Sequence, residues 1–213
     1  MLARWVSPTS GLIPPDEFIP VAEETGMIGD LSLAIIRKAM LEAKNWDPKL
    51  TISVNISPVQ LKDPWLAQKI VKLLVETGFP ANRLEVEITE SSLFKNLSLA
   101  QSIVGSLKNQ GIQIALDDFG TGYSSLAHLR ALPFDRIKID RSFVATMQEN
   151  SESAAIVSAI AGLGASLSVP ITAEGIEDEA LVKILADMGC TKGQGWLFSQ
   201  PLSIDQVRKL LAE

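Results

Sequence analysis

The sequence predicts an α/β fold, a parallel (β/α) barrel occupying a single domain over residues 1–213. Short apolar runs rich in Val and Ile alternate with longer helix-like stretches along the whole chain, the pattern of parallel strands joined by crossover helices. The polar residues Asn55, Glu87, Asp117, Asp118, Lys138 and Glu174 fall at the C-terminal ends of those runs, where a barrel of this kind builds its chemistry from strand ends and the loops after them. A chain of 213 residues with 46% hydrophobic composition also suffices for one large core.

Taken in order, the chain opens with a strand fragment at Leu2–Trp5. Pro14 and Pro15 before Asp16 and Glu17 start a short helix with acids at its favourable dipole end. Asp30 suits an N-cap for a helix over Leu31–Trp46, whose Leu31, Leu33, Ile35 and Ile36 are apolar. Strand Thr51–Asn55 follows, then helix Val59–Thr77, closed by Gly78. Strand Leu84–Thr89 leads to helix Leu97–Gln110 and the stop Gly111, and strand Ile112–Asp118 to helix Ser124–Leu132. Strand Arg136–Asp140, helix Ser153–Leu167, strand Val169–Gly175, helix Ala180–Met188 with its stop Gly189, and strand Gly193–Phe198 complete the series. These make seven strands, whereas a closed barrel of this type needs eight, so the expectation is a barrel lacking its first strand.

Composition narrows the chemistry. A formal charge of -6 argues against a surface for duplex nucleic acid, which needs clustered Lys and Arg. Cys190 is the single cysteine, so no internal disulfide forms and a reducing, cytoplasmic setting is expected. His128 is the single histidine and lies in a helix-like context, which excludes a His-pair zinc motif and disfavours an imidazole triad. Any metal must then take oxygen ligands, which favours Mg²⁺ or Mn²⁺. The N-terminus does not have the order of a signal peptide. The uncharged stretch Ala154–Ala173 is interrupted by Ser, Gly and Pro170, and reads as a buried helix running into a strand, not a membrane span.

Gathering Glu87, Asp117, Asp118 and Glu174 against Lys138 leaves three net negative charges at one rim, costly unless cations compensate. Two divalent ions reverse that sign and prepare the site for a phosphate. In two-metal sites ions about 3.5–4 Å apart stabilise the attacking and leaving oxygens of an in-line displacement. Lys138 either orients the nucleophile and balances charge or forms a core-edge salt bridge, with Asp140, two residues on, as a partner. Asp117 and Asp118 are neighbours whose side chains oppose each other in an ideal strand. Either they form an acidic turn, or the backbone turns at the Gly-rich loop Phe119–Gly122 and aims both at one site.

The motifs Val54-Asn55-Ile56-Ser57, Glu87-Ile88-Thr89-Glu90, Asp117-Asp118-Phe119-Gly120-Thr121-Gly122-Tyr123-Ser124-Ser125-Leu126, Lys138-Ile139-Asp140, Ala173-Glu174-Gly175-Ile176-Glu177 and Gln194-Gly195-Trp196-Leu197-Phe198 resemble, in order, those of the EAL-domain cyclic di-GMP phosphodiesterases. The resemblance runs from Leu2 to about Pro201 and implies a TIM-like (β/α)8 barrel that hydrolyses cyclic di-GMP to the linear dinucleotide pGpG with two divalent cations, Mg²⁺ or Mn²⁺. It implies Asn55, Glu87 and Asp117 as ligands of one ion, and Asp117, Asp118 and Glu174 as ligands of the other. Lys138 would position the attacking water, making Lys138, Asp118 and Glu174 the residues closest to catalysis. Glu90 resembles the anchor of the loop after Asp118, and Glu177 a supporting position. On the substrate side it points to Leu2, Arg4 as a phosphate contact, Gln194, and Pro201 as part of a guanine-binding wall. The loop Phe119–Ser125 resembles a regulatory element through which family members pair, which implies a homodimer, and an upstream sensory or regulatory domain in a parent protein.

One motif is incomplete. The family's Glu-Ala-Leu aligns Leu2 with its Leu and Met1 with its Ala, so its Glu, a ligand of the first ion, falls before residue 1. The expectation is therefore an N-terminally truncated EAL-like domain with impaired turnover. The alternative is a catalytically silent cyclic di-GMP-binding or partner-binding EAL module, told apart by binding without product. A barrel abstracting a proton beside a carboxylate is a third possibility from the acids and Lys138 alone. A kinase is excluded, because Asp118-Phe119-Gly120 stands without a catalytic His-Arg-Asp or a nucleotide loop.

Overall fold

The computed structural model describes residues 1–93, 96–122, 129 and 131–212. They form two compact units, one of Met1–Ile88 with Ser92–Gln113, the other of Thr89–Ser91 with Ile114–Glu213.

The first unit begins with a hairpin. Strand β1 (Trp5–Ser7) pairs antiparallel with β2 (Gly11–Ile13), and the Trp5 ring meets Phe18 edge-on at 6.0 Å. The expected strand at Leu2–Trp5 is thereby corrected. Only Trp5 of it is extended, because its hydrogen-bonding partner is the following segment, while the Met1 ammonium donates to the Ser53 carbonyl at 2.7 Å. Helix α1 (Pro15–Glu24) starts on Pro15 with Asp16 and Glu17 in its first turn, as its residues predict. Helix α2 (Ile28–Ala43) begins earlier than expected. Buried Ile28 extends the apolar face backwards, so Asp30 sits in the first turn and serves the dipole instead of the cap.

Strand β3 (Ile52–Ile56) pairs in parallel with β4 (Leu84–Thr89), setting Ser53 opposite Glu85 and Asn55 opposite Glu87. Between them the expected helix Val59–Thr77 is split into a 3₁₀ turn at Gln60–Lys62 and helix α3 (Leu66–Thr77). Pro64 is the cause: its ring pushes the preceding Asp63 to an extended ψ of 109°, and the Asp63 carboxylate then accepts from the Trp65 N–H at 2.9 Å. Gly78 ends α3 in the left-handed region, at φ 66°. Asn96 caps helix α4 (Leu97–Asn109) through the Leu99 N–H. The helices α2, α3 and α4 pack in sequence, burying Ile36, Met40, Ile70, Ile103, Val104 and Leu107.

In the second unit, β5 (Gln113–Phe119), β6 (Arg136–Ile139), β7 (Ile171–Ala173) and β8 (Lys192–Gly193) lie side by side in chain order, all parallel. Helix α5 (Arg141–Thr146) packs on α6 (Ser151–Leu167), which also meets β6. Helix α7 (Glu179–Asp187) precedes β8, and α8 (Ile204–Leu210), held by a Ser203–Gln206 capping box, ends the unit. The expected strand Gly193–Phe198 is only two residues long, because the chain turns at Gly195 and docks on the segment after β7. Ile176 N–H donates to the Gln194 carbonyl at 3.0 Å, and Leu197 N–H to the Ile176 carbonyl at 3.0 Å. The expected helix Ser124–Leu132, with Tyr123 and His128, falls almost wholly outside the described residues. No helix among the described residues is long and apolar enough to cross a membrane.

Candidate active site

A register shift makes the site. From Leu116 to Phe119 β5 takes three steps while its partner takes two, from Ile137 to Ile139. The extra residue is a β-bulge, which bends a strand and re-aims a side chain. Asp118 absorbs the bend at φ 54°, a conformation that Asp tolerates better than most residues. Neighbouring carboxylates that alternate in a regular strand therefore converge. Carboxylate oxygens of Asp117, Asp118 and Glu174 all lie within 4.8 Å of one another.

Lys138 arrives in the same place from β6. Its Nζ stands 3.0 Å from Asp117 Oδ1 and 2.6 Å from Glu174 Oε1. Only 4% of Lys138 and 7% of Asp117 is exposed, so the ammonium is held charged by the two carboxylates, since burying it alone would be prohibitive. Three carboxylates against one ammonium leave two negative charges if all are ionised. That crowding shows in the acidity of Asp118. Burial first, then repulsion from Asp117 and Asp140, pushes the Asp118 carboxyl up to about 6, against the opposing pull of Lys138.

Asp140 corrects an expectation. Sequence offers it as a salt-bridge partner for Lys138, whereas it caps α5 by accepting from the Ser142 N–H at 2.9 Å and lies close enough to Asp118 to raise its pKa. The Asp-x-Ser spacing ahead of a helix was the available signal.

Glycines hold the loops around these acids. Gly120 N–H donates to Glu90 Oε2 at 3.0 Å, and Glu90 is 1% exposed. A Cβ on Gly122 would stand 2.9 Å from Glu90 Oε1, so the Glu90 carboxylate lies closely against this loop. On its other side, Gly120 lies against Phe143 and Ile160, two residues the sequence did not single out.

The remaining predicted residues are scattered in exposure. In the first unit Glu87 is 6% exposed and faces the exposed Asn55 across β3 and β4; below that pair on the same faces, Ser53 donates to Glu85 at 2.8 Å. Leu2 and Arg4 are exposed, and the Arg4 guanidinium donates to the adjacent Ala3 carbonyl at 2.8 Å. Gln194, Pro201 and Glu177 are exposed as well, and Gln194 enters the geometry through its backbone, its N–H donating to the Ala173 carbonyl at 2.9 Å.

Chemically, the group Asp117, Asp118 and Glu174 offers only oxygen donors, from three separate side chains, with surplus negative charge. That set fits a hard divalent cation such as Mg²⁺ or Mn²⁺ and does not fit a thiolate or imidazole zinc site.

Comparison with known proteins agrees on one lineage. Residues 1–201 match the EAL domain family. A signaling protein of Caulobacter vibrioides is 46% identical over 206 residues, covering 97% of this chain and 26% of that protein. The bifunctional diguanylate cyclase/cyclic di-GMP phosphodiesterase MucR of Pseudomonas aeruginosa is 37% identical over 210 residues, covering 97% of this chain and 31% of that protein. The chain thus spans about a quarter to a third of the length of these relatives. Among solved structures, the PaMucR phosphodiesterase in complex with c-di-GMP superposes with a TM-score of 0.92 at 36% identity, covering 96% of this chain and 84% of that one. The EAL enzyme Bd1971, in a form bound to cAMP and cyclic di-GMP, gives 0.91 at 30% identity, covering 98% and 58%. The fold class is accordingly α/β, that of the TIM-like barrel, with the first barrel strand not among these residues. On its sequence motifs, its clustered carboxylates and these likenesses, the chain belongs to the EAL domain family.

Proposed function

We propose that this chain, acting as one domain, hydrolyses cyclic di-GMP to pGpG with two divalent cations, Mg²⁺ or Mn²⁺. The observation that carries the reading is the convergence of Asp117, Asp118 and Glu174 around the buried Lys138. The relatives supply the substrate class, since MucR is named for cyclic di-GMP hydrolysis and its phosphodiesterase was solved with that dinucleotide.

In this reading Asp117, Asp118 and Glu174 would hold one ion, and Asn55 and Glu87 are ligand positions for the other by family resemblance. When bound, the ions supply Lewis-acid charge that offsets the phosphodiester's own. The chain's residues do the rest. Lys138, fixed by Asp117 and Glu174, orients a water for in-line attack on phosphorus and balances the charge that develops there. One P–O bond forms to the water oxygen and the opposing P–O bond to the ribose breaks, the water giving up a proton and the leaving ribose oxygen taking one up, so one water is consumed and the ring opens. Arg4 contacts a phosphate, Leu2, Gln194 and Pro201 line the dinucleotide, and Glu90 and Glu177 keep the surrounding loops in place. The same reading includes a homodimer through the loop after Asp118 and a regulatory domain in a longer parent.

Chromatography for pGpG after incubating the chain with cyclic di-GMP and Mn²⁺ tests it. Product is expected with Mn²⁺ and not with EDTA, and Lys138→Met should lower turnover by roughly 100-fold or more. A form completing Glu-Ala-Leu, with Met1→Ala and a Glu added ahead of it, is expected to turn over faster. Binding without product in both forms would replace the enzyme by a cyclic di-GMP receptor, and absence of binding would remove both.

A further inference from the structure

The segment joining β6 to α5 touches both loops that carry the clustered acids. Arg141, the first residue of α5, lies against the loop after Glu174: a Cβ built on Gly175 would stand 2.6 Å from Arg141 Cβ and 3.2 Å from its Cα. Gly175 is held at φ 72°, so the glycine both permits the turn and admits the contact. Two residues on, Phe143 meets the other loop. Its ring edge is 3.0 Å from the position of a Gly120 Cβ, with Ile160 of α6 beside it at 3.2 Å.

The Asp118 loop is therefore clasped from two sides. Glu90 accepts from the Gly120 N–H on one, and the Phe143 ring and Ile160 fill the space on the other. The clasping segment is itself tied at several points. Asp140 accepts from the Ser142 N–H and hydroxyl, Val144 is fully buried, and α5 packs on α6.

We propose that the Asp140–Phe143 turn is a spacer setting the separation of the Asp118 and Glu174 loops, and that Phe143 is a positioning residue for the ion they share. This rests on the metal reading above. A side chain that wedges a ligand-bearing loop acts on affinity because ligands must be held to within a fraction of an ångström by packed neighbours. A role confined to core packing would move stability and leave affinity alone.

Calorimetric titration with Mn²⁺, beside thermal melts in EDTA, separates the two. Phe143→Ala is expected to weaken Mn²⁺ binding by roughly 10-fold or more, well below its melting temperature, and to lower kcat more than it changes KM. Phe143→Leu, which keeps most of the wedge, is expected to stay within about threefold of the parent. Affinity that is flat across Leu, Val and Ala at this position overturns the spacer, and the Leu and Val variants carry the test if Ala does not fold. A parent chain that takes up no Mn²⁺ overturns the metal reading as well, whereas a parent that binds and an unchanged Phe143→Ala overturns the spacer alone.

Discussion

Asp118 combines an unusual backbone conformation with an unusual acidity, and the two have one origin. The bulge that turns its side chain toward Asp117 also brings it into partial burial beside two other carboxyls. Its carboxyl titrates near 6 when folded, against 3.8 for the ordinary group. Between those values the unfolded chain has already lost the proton that the folded chain keeps, so stability falls as pH rises through the window and stays low above it. Asp118→Asn is then expected to stabilise the metal-free protein above pH 6, on the order of 1 kcal/mol once solvent screening of this half-exposed group is allowed for. The gain should vanish below pH 4, and Asn accepts a positive φ as readily as Asp. Urea unfolding in EDTA across pH 4–8 checks it, and a difference that does not change with pH would refute the cause. In the sequence, Asp117-Asp118 was visible as a pair of acids at a strand end. Whether they faced one site or opposite ways was not, because one inserted residue in the pairing decides it.

At the scale of elements, glycines separate into those that stop helices and those that admit a neighbour. Gly78, Gly111 and Gly189 were legible as stops, and each holds a positive φ, at 66°, 83° and 96°. Gly195 was legible only as part of a motif. A Cβ there would stand 2.1 Å from the Ile176 carbonyl oxygen, so Gly195→Ala must push apart the Gln194–Phe198 turn and the segment after β7. It is expected to cost on the order of 3 kcal/mol. Gly105, inside α4 with nothing within 4 Å, is the control: Gly105→Ala is expected to stabilise by about 0.5–1 kcal/mol. Equal effects in chemical denaturation would refute the packing account. The misplaced boundaries have local causes of the same kind. Pro64 broke a periodic helix, and Ile28 began one before its acid.

At the scale of the molecule, the proposed cation binding at the acidic cluster ties stability to metal. Any cation bound only by the folded chain stabilises it, by about 2.7 kcal/mol at a hundredfold excess over Kd, which for a chain of this size is roughly 5–10 °C in Tm. Mn²⁺ is expected to raise Tm by that amount in the parent and to do little in Asp117→Ala, where the carboxylate nearest Lys138 Nζ on β5 is gone. Equal shifts in both would place the ion elsewhere. By itself the sequence determined the alternation of strand and helix, the family, and the oxygen-only chemistry that follows from single His and Cys residues. Those properties are written in local periodicity and composition. Only the tertiary structure decided that Lys138 pairs with Asp117 and Glu174, that Asp140 lies beside Asp118, and that Phe143 lies against the loop at Gly120. Each of these depends on register and approach between segments distant in the chain, and no local pattern encodes them.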